Sequence, residues 1–269
     1  MSIREKGTEA LISLLKACVY LLAFYFSQIL VGVIIALAVS ADAVEFVEKN
    51  AMEVSIISNL VAVLLCIWLV KVFERKDAIE GFSINADFKK PICVLVACAA
   101  LGFFAQYITS YWINTARLPD SWIEQLEDNT DMLTSGGLDA RIIALAVVAP
   151  LAEEIIFRAC IQGTLSKAIN KWIAIGAGAL VFGLAHGAYA SIIVATLLGF
   201  FMGWLFAQTR SIIPSMIFHV AYNLTSVFLT SLNTVFFIIS CVCFALGLAY
   251  VIYLSVKNKN VKGENNEAL

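Results

Sequence analysis

The sequence predicts an all-α protein, a polytopic transmembrane helix bundle with about eight spans. Composition is the first reason: 61% of the 269 residues are hydrophobic, 14% are charged and the mean hydropathy is +0.89. A soluble domain is about half apolar and about a quarter charged. The second reason is the repeated occurrence of apolar segments about 20 residues long, the length of helix that crosses a bilayer. The net charge of −2 gives no reason to expect a nucleic-acid partner.

Eight segments reach that length. They are residues 11–39, 52–72, 91–113, 139–165, 171–187, 189–208, 212–232 and 234–256. The first is much longer than the apolar part of a signal peptide, so we interpret it as a retained helix. In the sixth, Gly199-x-x-x-Gly203 predicts close helix packing inside the bundle. The seven cysteines all fall in apolar segments and form no CxxC pair, which indicates neither a disulfide framework nor a zinc knuckle.

Lys and Arg residues gather in alternate connections between these segments, and the intervening connections are acidic or short. Basic connections favour the cytoplasmic side of a membrane, so both termini are expected in the cytoplasm. In the long acidic connection after the third segment, residues 121–127 are predicted to form a short amphipathic helix on the membrane surface. The polar tail from Lys257 is predicted to be disordered.

Three ionisable residues interrupt the fourth segment: Glu153, Glu154 and Arg158. Each costs at least about 2.5–3.5 kcal/mol at the centre of a membrane helix, so a functional site is the default interpretation. Glu154 and Arg158 are four residues apart and are expected to form an ion pair on one helix face. Glu153 is rotated by about 100° from Glu154, so the two carboxylates are expected to face different partners. Pro150 is expected to kink the helix and free backbone carbonyls.

Both histidines of the chain lie in apolar segments. His186 follows Phe182 by four residues, and His219 precedes Asn223 by four, so each pair shares a helix face. Counted along straight spans, the two histidines lie at different depths and meet Glu153 only if spans tilt or break. Such residues often hold membrane helices together, and this structural interpretation stays open. They are also the groups that activate water and stabilise an oxyanion, or that bind a divalent metal.

Three motifs follow one another on successive helices: Glu153-Glu154-x-x-x-Arg158, Phe182-x-x-x-His186 and His219-x-x-x-Asn223. In this order they resemble the CAAX protease and bacteriocin-processing (CPBP, or Abi) family, which includes the type II CAAX prenyl endopeptidases and the lysostaphin-resistance protein A-like proteins. The resemblance covers about residues 139–230 and implies a four-helix catalytic core. It divides the chain into residues 1–138 with three spans and an external loop, the core at 139–232, and the last span with its tail at 233–269.

The resemblance implies an intramembrane peptidase in which Glu153 is the general base and His186 holds and polarises the attacking water. It implies that His219 and Asn223 stabilise the oxyanion. The remaining motif residues would order the site: Glu154, Arg158 and Phe182.

The family is also described as metalloendopeptidases, which implies a divalent metal such as zinc on His186, His219 and Glu153. The sequence contains no HExxH motif, and asparagine is a poor zinc ligand, which favours a site without zinc. The two interpretations stay open at this point.

The partners implied are the lipid bilayer and a membrane-associated peptide or protein substrate, and the compact form indicates a bacterial plasma membrane. The reaction would be CAAX-type processing, or bacterial peptide or bacteriocin maturation or immunity. One alternative is a non-catalytic membrane scaffold or immunity protein of the same family. Another is a transporter with a Glu and His relay, but the sequence shows no internal repeat to support it.

Overall fold

The computed structural model describes residues 3–38, 43–74, 91–134, 137–229 and 231–267. In these ranges all regular structure is helical, which confirms the all-α prediction. The helices in chain order are α1 (Ile3–Ala38), α2 (Ala43–Lys49), α3 (Ala51–Glu74), α4 (Pro91–Thr115), α5 (Asp120–Thr134), α6 (138–168), α7 (Lys171–Leu184), α8 (Tyr189–Thr209), α9 (Ile213–Phe228) and α10 (Thr234–Glu267).

Each of the eight predicted segments contains a helix, but the count of about eight spans is not confirmed. Among the described helices, five are long and apolar enough to cross a membrane: α1, α3, α4, α8 and α10. Helices α7 and α9 have 14 and 16 residues, or about 21 and 24 Å, against a hydrocarbon core about 30 Å thick. Helix α7 ends at Leu184, because Gly187 adopts a left-handed φ of 75° that a regular helix excludes.

Two helices are longer than the sequence predicted. Helix α5 covers Asp120–Thr134, which includes the predicted residues 121–127. Helix α10 extends to Glu267 and so includes most of the tail from Lys257, for which disorder stays a prediction. Extending an existing helix is easier than nucleating a new one, and lysine is a good helix former, so the polar tail continues α10.

Close packing against α4 positions α9, the helix that carries His219 and Asn223. A Cβ added at Gly102 of α4 would collide with the carbonyl oxygen of Phe218 and lie 3.0 Å from the Cβ of Ala221. Only glycine therefore allows the two backbones to approach this closely. Helix α4 precedes the segment that carries the three motifs, so the first half of the chain helps to position α9.

Small residues also bring α7 and α8 together. A Cβ at Gly199 would lie 3.0 Å from the ring of Phe182 and 3.1 Å from the Cα of Ala179. One turn further along α8, the carbonyl oxygen of Gly203 accepts a hydrogen bond from Gln162 Nε2 at 2.8 Å. The Gly199-x-x-x-Gly203 pattern therefore packs inside the bundle, as predicted.

We expect Gly102→Ala to lower the free energy of unfolding by about 1–3 kcal/mol, the usual cost of an extra carbon in a tightly packed core. The matched control is Gly176→Ala in α7, where an added Cβ meets nothing within 4 Å. Alanine there should raise the free energy of unfolding by about 0.5–1 kcal/mol, because it is the better helix former. Denaturant unfolding of both variants in one detergent measures the difference, and equal stabilities would contradict tight packing between α4 and α9.

Candidate active site

Helix α6 is wound irregularly around the motif that carries the two glutamates. Two π-helical segments, Ile142–Val148 and Glu154–Gln162, flank the α-helical segment Ala149–Glu153. A π-helix bonds each carbonyl to the N–H five residues further on, and such segments occur frequently at functional sites. The N–H of Ala149 follows this pattern and donates to the carbonyl oxygen of Ala144.

Pro150 removes the next hydrogen bond of this series. In the π pattern the carbonyl of Leu145 would bond to the nitrogen of residue 150, but proline carries no hydrogen there. Asn223 of α9 supplies the donor instead, with its Nδ2 at 2.8 Å from the carbonyl oxygen of Leu145. The expectation that Pro150 frees a backbone carbonyl is therefore confirmed. Leu145 was missed in the sequence, since its spacing from Pro150 is informative only once π winding is known.

The Glu154 carboxylate is fully buried between two basic side chains. Its Oε2 lies 3.3 Å from Nε of Arg158, and its Oε1 lies 3.2 Å from Nδ1 of His219. The ion pair predicted from the spacing of Glu154 and Arg158 is confirmed. The Arg158 guanidinium is 4.3 Å from the centre of the Phe182 ring, a cation–π contact that covers the buried charge.

Glu153 contacts the other edge of the same imidazole. Its Oε2 is 3.7 Å from Nε2 of His219, and its side chain is 20% exposed. The expectation that Glu153 and Glu154 face different partners was wrong, because both approach His219 on opposite ring nitrogens. That expectation assumed regular α-helical rotation, whereas a π-helical segment begins at Glu154. An imidazole also has a nitrogen on each of two edges, so it fits between two carboxylates.

Phe182 brings the second histidine to the same place. The ring of His186 is 4.8 Å from the Phe182 ring, and the ring of His219 is 5.7 Å from it, both in edge-to-face geometry. His186 lies in the turn after α7, with Nδ1 at 2.9 Å from the carbonyl oxygen of Phe182. The short α7 and the turn at Gly187 therefore place both histidines around one phenyl ring. Sequence reasoning missed Phe157, which packs against the Phe182 ring at 5.2 Å.

The described residues do not fit the zinc site that the resemblance implies. A structural or catalytic zinc ion needs at least three protein donors. Within the ranges that the structure describes, no three His, Cys, Asp or Glu side chains are arranged to hold a metal ion. Glu153 and His219 are close enough to supply two donors, and the described geometry brings no third histidine, cysteine or carboxylate side chain to the same point.

We expect Asn223→Ala to lower the free energy of unfolding by about 1–3 kcal/mol, because the Leu145 carbonyl loses its donor. In a Pro150→Ala background a restored N–H serves that carbonyl, so the same substitution should cost less. A double-mutant cycle of denaturant unfolding in detergent measures the coupling, which we expect at about 0.5–3 kcal/mol. An equal cost of Asn223→Ala in both backgrounds would contradict this role of Asn223.

The part of the chain that matches a known protein family contains the residues of the candidate site. Residues 137–225 match the family model described as type II CAAX prenyl endopeptidase Rce1-like. The chain is 24% identical over 178 residues to "Putative membrane peptidase YdiL" of Bacillus subtilis (strain 168), covering 65% of this chain and 72% of that protein. It is 26% identical over 170 residues to "UPF0177 protein YxdF" of Lactococcus lactis subsp. lactis (strain IL1403), covering 62% and 89% respectively.

No solved structure matches the chain at a significant level. The resemblance predicted from the three motifs is nevertheless confirmed by sequence: residues 137–225, which include every motif residue, resemble the type II CAAX prenyl endopeptidases, a family of membrane proteases.

Proposed function

We propose that the chain is an intramembrane endopeptidase that hydrolyses a peptide bond in a lipid-anchored or membrane-associated peptide or protein. The supporting observation is the His219 imidazole between the carboxylates of Glu153 and Glu154. A structural ion pair needs only Glu154 and Arg158. The partly exposed Glu153 carboxylate is an additional intramembrane charge. Such charges cost free energy, and those that membrane proteins retain usually mark functional sites.

In the proposed mechanism Glu153 is the general base. It takes a proton from a water molecule that His186 holds and polarises through Nε2, because Nδ1 of His186 faces the Phe182 carbonyl. The resulting hydroxide attacks the carbonyl carbon of the peptide bond. Glu153 and His186 are both half-buried. They lie at the edge of the polar cluster that they form with Glu154, Arg158 and His219, where a substrate can approach.

Two side chains of α9 would stabilise the oxyanion that develops on the carbonyl oxygen. Asn223 uses one N–H of its carboxamide on Leu145 and has a second N–H for the oxyanion. The doubly protonated His219 would donate its Nδ1–H to Glu154 and its Nε2–H to the oxyanion. Glu154 and Arg158 act as positioning residues, because they fix the orientation of the His219 ring.

Collapse of the tetrahedral intermediate breaks the C–N bond. The proton that Glu153 took from water passes to the leaving nitrogen. One water molecule and one peptide bond thus give a new carboxyl terminus and a new amino terminus, and no further reactant is needed.

The substrate class follows from the apolar surroundings of the site, because the scissile bond must be presented at the membrane. A lipid anchor or a membrane-associated segment meets this requirement. CAAX-type processing and the maturation of bacterial peptides or bacteriocins are the two corresponding reactions. The relatives come from bacteria, which favours peptide maturation or immunity in a bacterial plasma membrane.

We expect Glu153→Gln to lower cleavage by at least about 100-fold, because loss of a general base typically costs 10²–10⁴-fold. The measurement compares new protein N- and C-termini in membranes of cells that express the wild type or the variant. Glu124→Gln, at an exposed glutamate of α5, is the matched control and should behave as the wild type. The amount of inserted protein must be equal in the three strains.

New termini that depend on Glu153 but not on Glu124 would support proteolysis and identify the substrate. The same termini in all three strains would contradict the proposal. The alternative of a non-catalytic scaffold or immunity protein would then be favoured, with the polar cluster serving only to hold α6 and α9 together.

We expect cleavage by the purified protein to persist after metal removal, because the proposed steps use only side chains and water. The measurement is the cleavage rate before and after treatment with EDTA or 1,10-phenanthroline. A loss of activity that zinc restores and magnesium does not would overturn this prediction. That outcome would assign the zinc ion to His186, His219 and Glu153, with rearrangement of the described geometry.

A further inference from the structure

A polar cleft lies at the end of the bundle where α4, α9 and α10 meet. Its volume is about 650 Å³. Eight of its ten lining residues, all within the described part of the chain, carry a hydroxyl or amide group, and none is charged. A cavity of about 530 Å³ between α4, α8, α9 and α10 is instead lined almost entirely by apolar side chains. The polar cleft therefore differs in chemistry from the lipid-like grooves of the bundle.

Hydrogen bonds and ring stacking fix the wall that α4 and α10 form. The hydroxyl of Tyr111 is 2.9 Å from Oγ1 of Thr234, and the Tyr111 ring stacks on Phe237 at 4.2 Å. The backbone N–H of Asn233 donates to the hydroxyl of Tyr107 at 2.7 Å. The wall is therefore formed before any ligand arrives, as in most binding sites.

The lining side chains keep hydrogen-bonding capacity for a ligand. Asn114 Nδ2 donates to the carbonyl of Ser110 at 2.9 Å, and Thr115 Oγ1 donates to the carbonyl of Tyr111 at 2.7 Å. Both of these hydrogen bonds stay within α4, and each uses one donor of the side chain. Asn114 has a second N–H and a carbonyl oxygen, and each hydroxyl oxygen has acceptor lone pairs. The cleft can therefore both donate and accept.

The cleft begins about one helical turn after Asn223 of the candidate active site. Ser226, which lines it, donates to the carbonyl oxygen of Asn223 at 2.7 Å. His219 lies seven residues before Ser226 on α9, which corresponds to about 10.5 Å along the helix. An extended peptide covers this distance with about three residues.

We propose that the cleft is a peptide-binding subsite that holds an uncharged polar segment of the substrate, about three residues from the cleaved bond. This inference rests on the endopeptidase function proposed above. A peptide backbone presents N–H and C=O groups together, which matches a lining that donates and accepts. Among the described residues, the lining contains no Lys or Arg for a phosphate group and no Asp or Glu for a basic segment.

The first test measures binding without catalysis. Leu232 of the cleft is replaced by p-benzoylphenylalanine in the Glu153→Gln protein, short synthetic peptides of defined sequence are added, and the irradiated protein is analysed by mass spectrometry. We expect capture of peptides rich in Ser, Thr and Asn. Asn114→Ala should reduce capture about two- to tenfold, the effect of one lost neutral hydrogen bond.

Asn50→Ala is the matched control for Asn114→Ala. Asn50 Nδ2 makes the same kind of bond, to the carbonyl of Phe46 at 2.7 Å, and Asn50 is not one of the ten residues that line the cleft. Its substitution should leave capture unchanged. Equal capture by the two variants would overturn the proposal, since any general effect on folding is common to both.

The second test uses the active protein and the same peptides. We expect Asn114→Ala to raise KM about two- to tenfold with kcat unchanged, because the lost contact is equal in the ground state and the transition state. Unchanged capture and unchanged KM overturn the subsite while Glu153-dependent cleavage stands. Capture that depends on Asn114 without Glu153-dependent cleavage supports peptide binding in the cleft and overturns only the endopeptidase function.

Discussion

The burial of the Glu154 carboxylate is the constraint on which the rest of the site depends. An ion in an apolar interior costs several kcal/mol unless charged and hydrogen-bonding partners surround it. Arg158 comes from the same helix, but His219 comes from α9 and the covering Phe182 ring from α7. The charge is accommodated only when the three helices are in register, so one carboxylate fixes their relative positions. Glu153, the neighbouring residue, is left at the edge of the cluster.

A second contact between α6 and α9, an uncharged hydrogen bond, adds to this constraint. The carbonyl of Leu145 lacks its ladder partner at Pro150 and accepts from Asn223. His219 and Asn223 are one turn apart on α9, so their contacts with Glu154 and Leu145 hold that helix at two points. Two contacts restrain both the rotation and the translation of α9 against α6. The proposed hydrolysis would depend on this kind of restraint, because it needs a water, a base and an oxyanion donor in fixed positions.

The sequence was sufficient for the all-α class, the location of the helical segments, the ion pair of Glu154 with Arg158 and the freed carbonyl near Pro150. These depend on residue type and short spacing. The contact of both glutamates with His219 was not predictable, because residue spacing does not reveal π winding. The number of spans was not confirmed because apolar composition permits a span without setting helix length. The meeting of His186 with the site depends on the early end of α7, which a straight-helix count of depth overlooks.

The close approach of α4 to α9 bears on whether residues 137–225 would keep their geometry in another protein. Residues 137–225 contain every motif residue. The position of α9 depends partly on Gly102, which lies outside that range. Transplanting that segment into another scaffold would transfer the motif side chains without α4, the neighbour that packs against α9. A relative with the same three motifs and a bulkier residue at the position of Gly102 would hold α4 further from α9, the helix that carries His219. Divergence in the first half of such chains would therefore change the support of α9 while the three motifs stay the same.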